Sequence, residues 1–185
     1  MNKSSLLLLP FFLLIVLVSD AQYHSNHSIE SNSYDQVSLG FGFGLDYGGF
    51  GGNLTVYPQK NIGLFASGGY ALAGFGYNVG VKARILPDHG QASPYFVAMY
   101  GYNAAVVVVN EQGFNKLYYG PSIGAGVDIW ANRSRKGYLS LALLVPFRSP
   151  DVQNYIDYLR NSQGIDFKNN LIPIALSIGY KFVLD

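Results

Sequence analysis

Residues 75–85 read FGYNVGVKARI. Phe75, Tyr77, Val79, Val81, Ala83 and Ile85 fall on one side of a two-residue period. Gly76, Asn78, Gly80, Lys82 and Arg84 fall on the other. Successive side chains of an extended strand point to opposite faces. The stretch therefore makes a strand with one large apolar face and one small or charged face. What decides the fold is which of these faces lies inside.

The same period recurs along the chain from Gln36. Val37, Leu39, Phe41, Phe43, Leu45 and Tyr47 alternate with Ser38, Gly40, Gly42, Gly44 and Asp46. A second strand sets Leu54 and Val56 against Asn53, Thr55 and Tyr57, and a third holds Ile62, Leu64 and Ala66. A fifth, over about residues 94–109, is apolar on both sides, so its register stays open. Its run 104–109 is also an aggregation hazard. A sixth sets Tyr119, Ile123, Ala125, Val127 and Ile129 against Gly120, Ser122, Gly124, Gly126 and Asp128. In a seventh, Leu139, Leu141, Leu143, Val145 and Phe147 oppose Ser140, Ala142 and Leu144. The last, over 172–184, sets Ile172, Ile174, Leu176, Ile178, Tyr180 and Phe182 against Ala175, Ser177, Gly179 and Lys181. About eight strands result, most long enough to cross a bilayer at a tilt.

Sidedness follows from size. A soluble barrel points its large apolar groups inward. A small closed barrel has little internal room, so a face of Gly, Ser, Ala and Asn belongs inside. The Phe, Leu, Ile and Tyr face then points outward, which only lipid tolerates. Composition agrees, since charged residues are 12% of 185 while hydrophobic residues are 49%. Glycine is abundant at 22 residues and aromatics reach 15%, a pairing common in β-barrels. The net charge of +1 carries no basic field for nucleic acid. Cysteine is absent, which removes disulfides, thiol nucleophiles and cysteine metal sites.

Residues 1–21 read as a secretory signal peptide: Lys3, then the apolar run 6–18, then Ser19 and Ala21 ahead of a cleavage site before Gln22. Residues 22–35 are a polar, aperiodic lead, and 36–185 form the barrel domain. Short polar turns are expected at 58–61, 87–93 and 132–136, with longer connections at 111–116 and 148–171 on the opposite side. The asymmetry is partial, because the turns near Gly48-Gly49 and at 72–74 are also short. Within the longest connection, Ser149 caps a helix over about 150–161. Pro150 takes its first position, Asp151 favours its first turn, and Val152, Tyr155, Ile156 and Leu159 form one stripe. Two readings of this helix follow: a structural lid packed on the barrel rim, or a recognition element for a partner or ligand.

Chemistry is sparse. His24, His27 and His89 lie in the lead and in a turn, away from every strand, so neither a histidine-assisted hydrolase nor a metal site is expected. The glycines at 40, 42, 44, 48 and 49 precede no helix and make no phosphate loop. The charges Asp46, Lys82, Arg84, Asp128 and Lys181 are expected to face the lumen. Buried charges must pair or find water. Two readings follow: an ion-pair network plugging the barrel, or a narrow polar conduit kept open by the space the glycines leave.

The signal peptide, the two-residue pattern over 36–185 and the final strand with Gly179, Tyr180 and Phe182 together resemble the small eight-stranded outer-membrane β-barrel family of the OmpA/OmpX type. Gln22 at the expected mature start and the overall style resemble its Bacteroidetes-type members. The ending Val183-Leu184-Asp185 departs from the terminal aromatic usual there. The resemblance implies a closed antiparallel up-and-down barrel in the cell outer membrane. It also implies recognition of the last strand by the outer-membrane assembly machinery. The expected protein is a monomer without cofactors, holding a structural or surface-interaction role and no catalytic one. A secreted lipocalin-like barrel, its large apolar face lining a ligand cavity, and a small passive channel are the alternatives.

Overall fold

The computed structural model describes residues 36–85, 91–108, 111–131, 134–165 and 171–184. The expected signal peptide, the lead and all three histidines lie outside the described residues.

Eight antiparallel strands close into one barrel, each pairing with its neighbour in sequence and the last with the first. They are β1 (Val37–Gly44), β2 (Gly49–Gln59), β3 (Ile62–Tyr70), β4 (Phe75–Arg84), β5 (Ala92–Val106), β6 (Lys116–Trp130), β7 (Gly137–Pro146) and β8 (Ala175–Leu184). The up-and-down topology expected from the alternation is the topology observed, and closure leaves no unpaired sheet edge. Chain direction alternates, so both ends of the barrel domain lie at the end that carries the β2–β3, β4–β5 and β6–β7 turns.

The large apolar face points outward. Phe41, Val79 and Ile178 are 59%, 50% and 45% exposed, which excludes an interior in which they meet one another. Leu54, Leu64, Phe96, Ile123, Leu143 and Leu176 are likewise exposed. Within the strands the only Asp, Glu, Lys or Arg residues are Lys82, Arg84, Lys116, Asp128 and Lys181. Lys82, Arg84, Asp128 and Lys181 are buried in the interior, and Lys116 lies over the rings of Tyr118 and Tyr155 beneath the helix. The lipocalin-like arrangement, in which the large apolar face lines a cavity, is therefore not the one observed.

Three departures from simple alternation have local causes. The first strand does not continue to Tyr47: it ends at Gly44, and Leu45–Tyr47 form a 3₁₀ turn with Leu45 and Tyr47 buried instead of outward. Gly44, Gly48 and Gly49 make this possible, with φ of 135°, 69° and 103°. In β5 the register against β6 slips between Tyr102 and Ala104, so Asn103 is an extra residue in a bulge. One inserted residue exchanges the faces. Tyr95, Val97 and Met99 face inward before it, and Ala104 and Val106 are buried after it, which is why this strand reads as apolar on both sides. The last strand begins at Ala175, three residues later than expected, so Ile172 and Ile174 precede it.

The helix α1 spans Pro150–Gln163, two residues beyond the expected end. The Ser149 Oγ accepts the Asp151 N–H at 3.2 Å, Pro150 opens the first turn, and Gly164 closes the helix at φ 65°. Val152, Ile156 and Leu159 are buried against Ala104, Val106 and Val108. The Tyr155 hydroxyl donates to the Phe114 carbonyl at 2.9 Å. The helix thus covers the inner face of the β5–β6 hairpin where that hairpin rises above the other strands.

Candidate functional site

The candidate site is the barrel interior, and its centre is Asp128 on β6. Alternation puts Asp128 on the inward face opposite Ser140 of β7. Lys82 and Arg84 share one face of β4 because they are two residues apart. Lys82 Nζ reaches Asp128 Oδ1 at 2.7 Å, and Ser140 Oγ donates to the same oxygen at 2.8 Å. Arg84 sets Nη2 at 2.9 Å and Nε at 3.0 Å from Asp128 Oδ2. Both carboxylate oxygens are thereby engaged, and the three charged side chains are excluded from solvent. The cations also lie on rings: Lys82 Nζ is 3.6 Å from the Tyr95 ring centre, and the Arg84 guanidinium is 4.0 Å from that of Tyr57.

A second polar group lies around Lys181 of β8. Its Nζ donates to Asn53 Oδ1 and Thr55 Oγ1, each at 2.7 Å. Among the described residues no carboxylate approaches Lys181 within ion-pair distance. The Asn53 amide donates to the main-chain oxygen of Asp46 at 2.8 Å, and Asn78 does the same to Leu45 at 2.6 Å. These two bonds hold the inward turn of residues 45–47 in place. Asp46 is buried as expected, but the turn carries it there, not the alternation of β1. Of the five expected lumen residues, Lys82, Arg84 and Asp128 join in one ion-pair cluster, while Lys181 and Asp46 stand apart from it.

Several strand glycines do not leave open space. Tyr47 from the inward turn lies against Gly42 and Gly179, where any Cβ would run into its ring. Tyr57 occupies the space beside Gly63, Phe65 that beside Gly80, and Tyr95 that beside Gly126. Tyr138 is fully buried, its hydroxyl 2.9 Å from Ser38 Oγ, and its ring is 4.7 Å from that of Trp130. Small residues on one wall therefore seat large rings from another, which is how a narrow barrel reaches interior packing density.

Comparison with solved structures finds a likeness to the crystal structure of the N-terminal β-barrel domain of Pseudomonas aeruginosa OprF. Sequence identity is 12%, 80% of this chain and 98% of that one are covered, and the TM-score is 0.47. No protein-family model and no curated protein matches the chain. Closure of the barrel is read from the strand pairing itself and does not depend on that likeness.

Sequence reasoning missed the partners more than the charges. Asn53 and Thr55 stood opposite Leu54 and Val56, and Ser140 opposite Leu139, so alternation marked all three as inward. Tyr95 was hidden in the strand whose register was open. Chemically, the cluster is saturated: Asp128 already accepts four donor contacts, from Lys82, Arg84 and Ser140. Such a carboxylate is suited to holding strands together. Among the described residues no group of three or more His, Cys, Asp and Glu is arranged to hold a metal.

Proposed function

We propose that this chain is a monomeric outer-membrane β-barrel with a structural or surface-interaction role and no catalytic one. The observation that carries the reading is the sidedness of charge. Large apolar side chains dominate the outward face of the strands, while four of their five ionic groups, Lys82, Arg84, Asp128 and Lys181, are buried inside and the fifth, Lys116, lies over Tyr118 and Tyr155. An apolar band encircling a whole barrel far exceeds the exposed patches that monomeric soluble proteins carry. A hydrocarbon surround removes the cost of that band. The dimensions fit as well: β2 has 11 residues. At about 3.3 Å each and a tilt near 40°, that spans roughly 28 Å, close to the ~25 Å apolar band of such barrels.

Aromatic residues mark one boundary of the band. Phe43, Phe50, Tyr70 and Phe75 are successive register partners across β1–β4 at the end opposite the β2–β3, β4–β5 and β6–β7 turns. Tyr77 stacks on Tyr119 at 5.1 Å nearby. Such rings suit the bilayer interface. The end that bears the β5–β6 hairpin and α1 is then the external one, where a partner would be met. The outer-membrane assembly machinery is the expected folding partner, through β8.

Membrane fractionation with a boiled-versus-unboiled gel tests this. The expected outcome is recovery in the detergent fraction with a mobility change on heating. Recovery from the aqueous fraction without detergent would overturn the reading.

A further inference from the structure

Beside the inward turn the barrel holds a cavity of about 270 Å³. Leu45, Ala71, Tyr102 and Ala175 line its inner side, and Phe50 and Leu72 its outer side. The barrel wall is low here. β1 ends at Gly44 and β2 starts at Gly49, while the β5–β6 pairing continues up to Val106 and Lys116. Phe50 and Leu72 are 72% and 70% exposed and continue the outward apolar face.

The lining decides what kind of molecule fits. Among the described residues none of those lining the cavity is charged, and their only polar side-chain atoms are the hydroxyls of Tyr70 and Tyr102. The polar groups of the adjoining turns already have partners. The Tyr70 hydroxyl donates to the Leu72 carbonyl at 3.3 Å. The Leu45 carbonyl accepts the Asn78 amide at 2.6 Å and the Gly48 N–H at 2.9 Å. The Ala71 N–H donates to the Gly74 carbonyl at 2.9 Å. A trapped water needs about two to four polar partners, so this chamber suits an apolar occupant better than water. Four rings border it, those of Phe43, Phe50, Tyr70 and Tyr102. Rings gain from a ring partner beyond the area they bury. Size sets the other bound: an apolar cavity of roughly 150 Å³ takes up benzene. The larger volume here has room for two fused rings.

The outer side carries a local strain. Leu72 has φ 59°, in the left-handed region that a leucine adopts only at a cost, where Gly or Asn would sit without strain. Strained backbone of this kind gathers at ligand clamps.

We propose that the cavity binds a small uncharged aromatic hydrocarbon of one or two rings, which enters past Phe50 and Leu72 from the surrounding acyl chains. The route of entry rests on the membrane reading. The class of occupant rests on the volume and lining of the chamber.

The test uses the full chain in detergent micelles with its alanine methyl groups labelled with carbon-13, and naphthalene as the probe. Saturable shifts are expected at Ala71 and Ala175, while the outward Ala66, Ala98 and Ala125 drift only in proportion to the naphthalene dissolved in the micelle. The anion 2-naphthoate, of the same ring size, should give no saturable shift. Ala175→Phe fills the chamber and should abolish saturation at Ala71. Leu72→Asn keeps the left-handed turn while making the outer side polar, and should raise the half-saturating concentration several-fold. The heat-dependent gel shift should persist in both variants. Proportional drift at all five alanines, saturation unchanged in both variants, or 2-naphthoate binding as well as naphthalene would overturn the proposal while an intact gel shift left the membrane reading standing. Loss of the gel shift in the unmodified chain would instead sink the membrane reading, and the route of entry with it.

Discussion

At the scale of single residues, Asp128 holds the interior together. It neutralises Lys82 and Arg84, both sealed from solvent, and links β4 to β6 and, through Ser140, to β7. Removing one member of a buried ion cluster leaves the others uncompensated, a loss of about 3–5 kcal/mol. Asp128→Ala should lower the unfolding free energy of the folded barrel, read from urea titration, by that amount, whereas Asp157→Ala on exposed α1 should leave it nearly unchanged. A neutral Asp128→Ala would mean that water already solvates the two cations. Gly179 offers a second test at this scale. An alanine there would collide with the Tyr47 ring, and such overpacking costs about 1–3 kcal/mol. Tyr47→Ala removes the ring, so the double variant should lose less than the sum of the single losses; strict additivity would show that the two do not touch.

The elements show where alternation is interrupted and why. The bulge at Asn103 turns Ala104, Val106 and Val108 toward α1. Deleting Asn103 keeps Ala104 opposite Tyr118 and so leaves these side chains facing α1, whereas deleting Ala105 moves Val106 and Val108 to the outward side. In the Ala105 deletion the helix would lose its seat, and limited proteolysis should then cut within 150–163 in a chain that keeps its barrel. Resistance equal to that of the parent would refute Val106 and Val108 as what holds the helix. Ser149→Ala should weaken α1 by about 1 kcal/mol through the lost cap, read as faster amide exchange in its first turn. The helix was legible in the sequence because Ser149, Pro150 and the stripe at 152, 155, 156 and 159 all lie within one local segment. The bulge was not, since nothing around Asn103 marks an inserted residue until β6 is laid beside it.

On the scale of the whole molecule, sidedness is the property that an experiment can reverse. Val79 lies in the middle of β4 and half exposed on the outward face. Val79→Lys should cost about 2–4 kcal/mol in a bilayer, the depth-dependent cost of a lipid-facing cation at the midplane. In water the same change would be nearly neutral and would favour solubility. The sign of the effect on folding into vesicles, compared with Asn154→Lys on the exposed face of α1, therefore separates the two surroundings. Lys82 and Arg84, on the other face of the same strand, are accommodated only because Asp128 is there to meet them.

Alternation by itself determined the strand count, the direction of Phe41, Val79 and Ile178, and the inward placement of Lys82, Arg84, Asp128 and Lys181. A side chain's face depends only on its position along an extended backbone, and that is local information. Tertiary structure decided the rest: that Asp128 takes both Lys82 and Arg84 while Lys181 goes to Asn53 and Thr55, and that Tyr47 folds inward onto Gly42 and Gly179. Those choices depend on which strands become neighbours across a closed lumen. A residue finds its partner there by distance in space, which no spacing along the chain records.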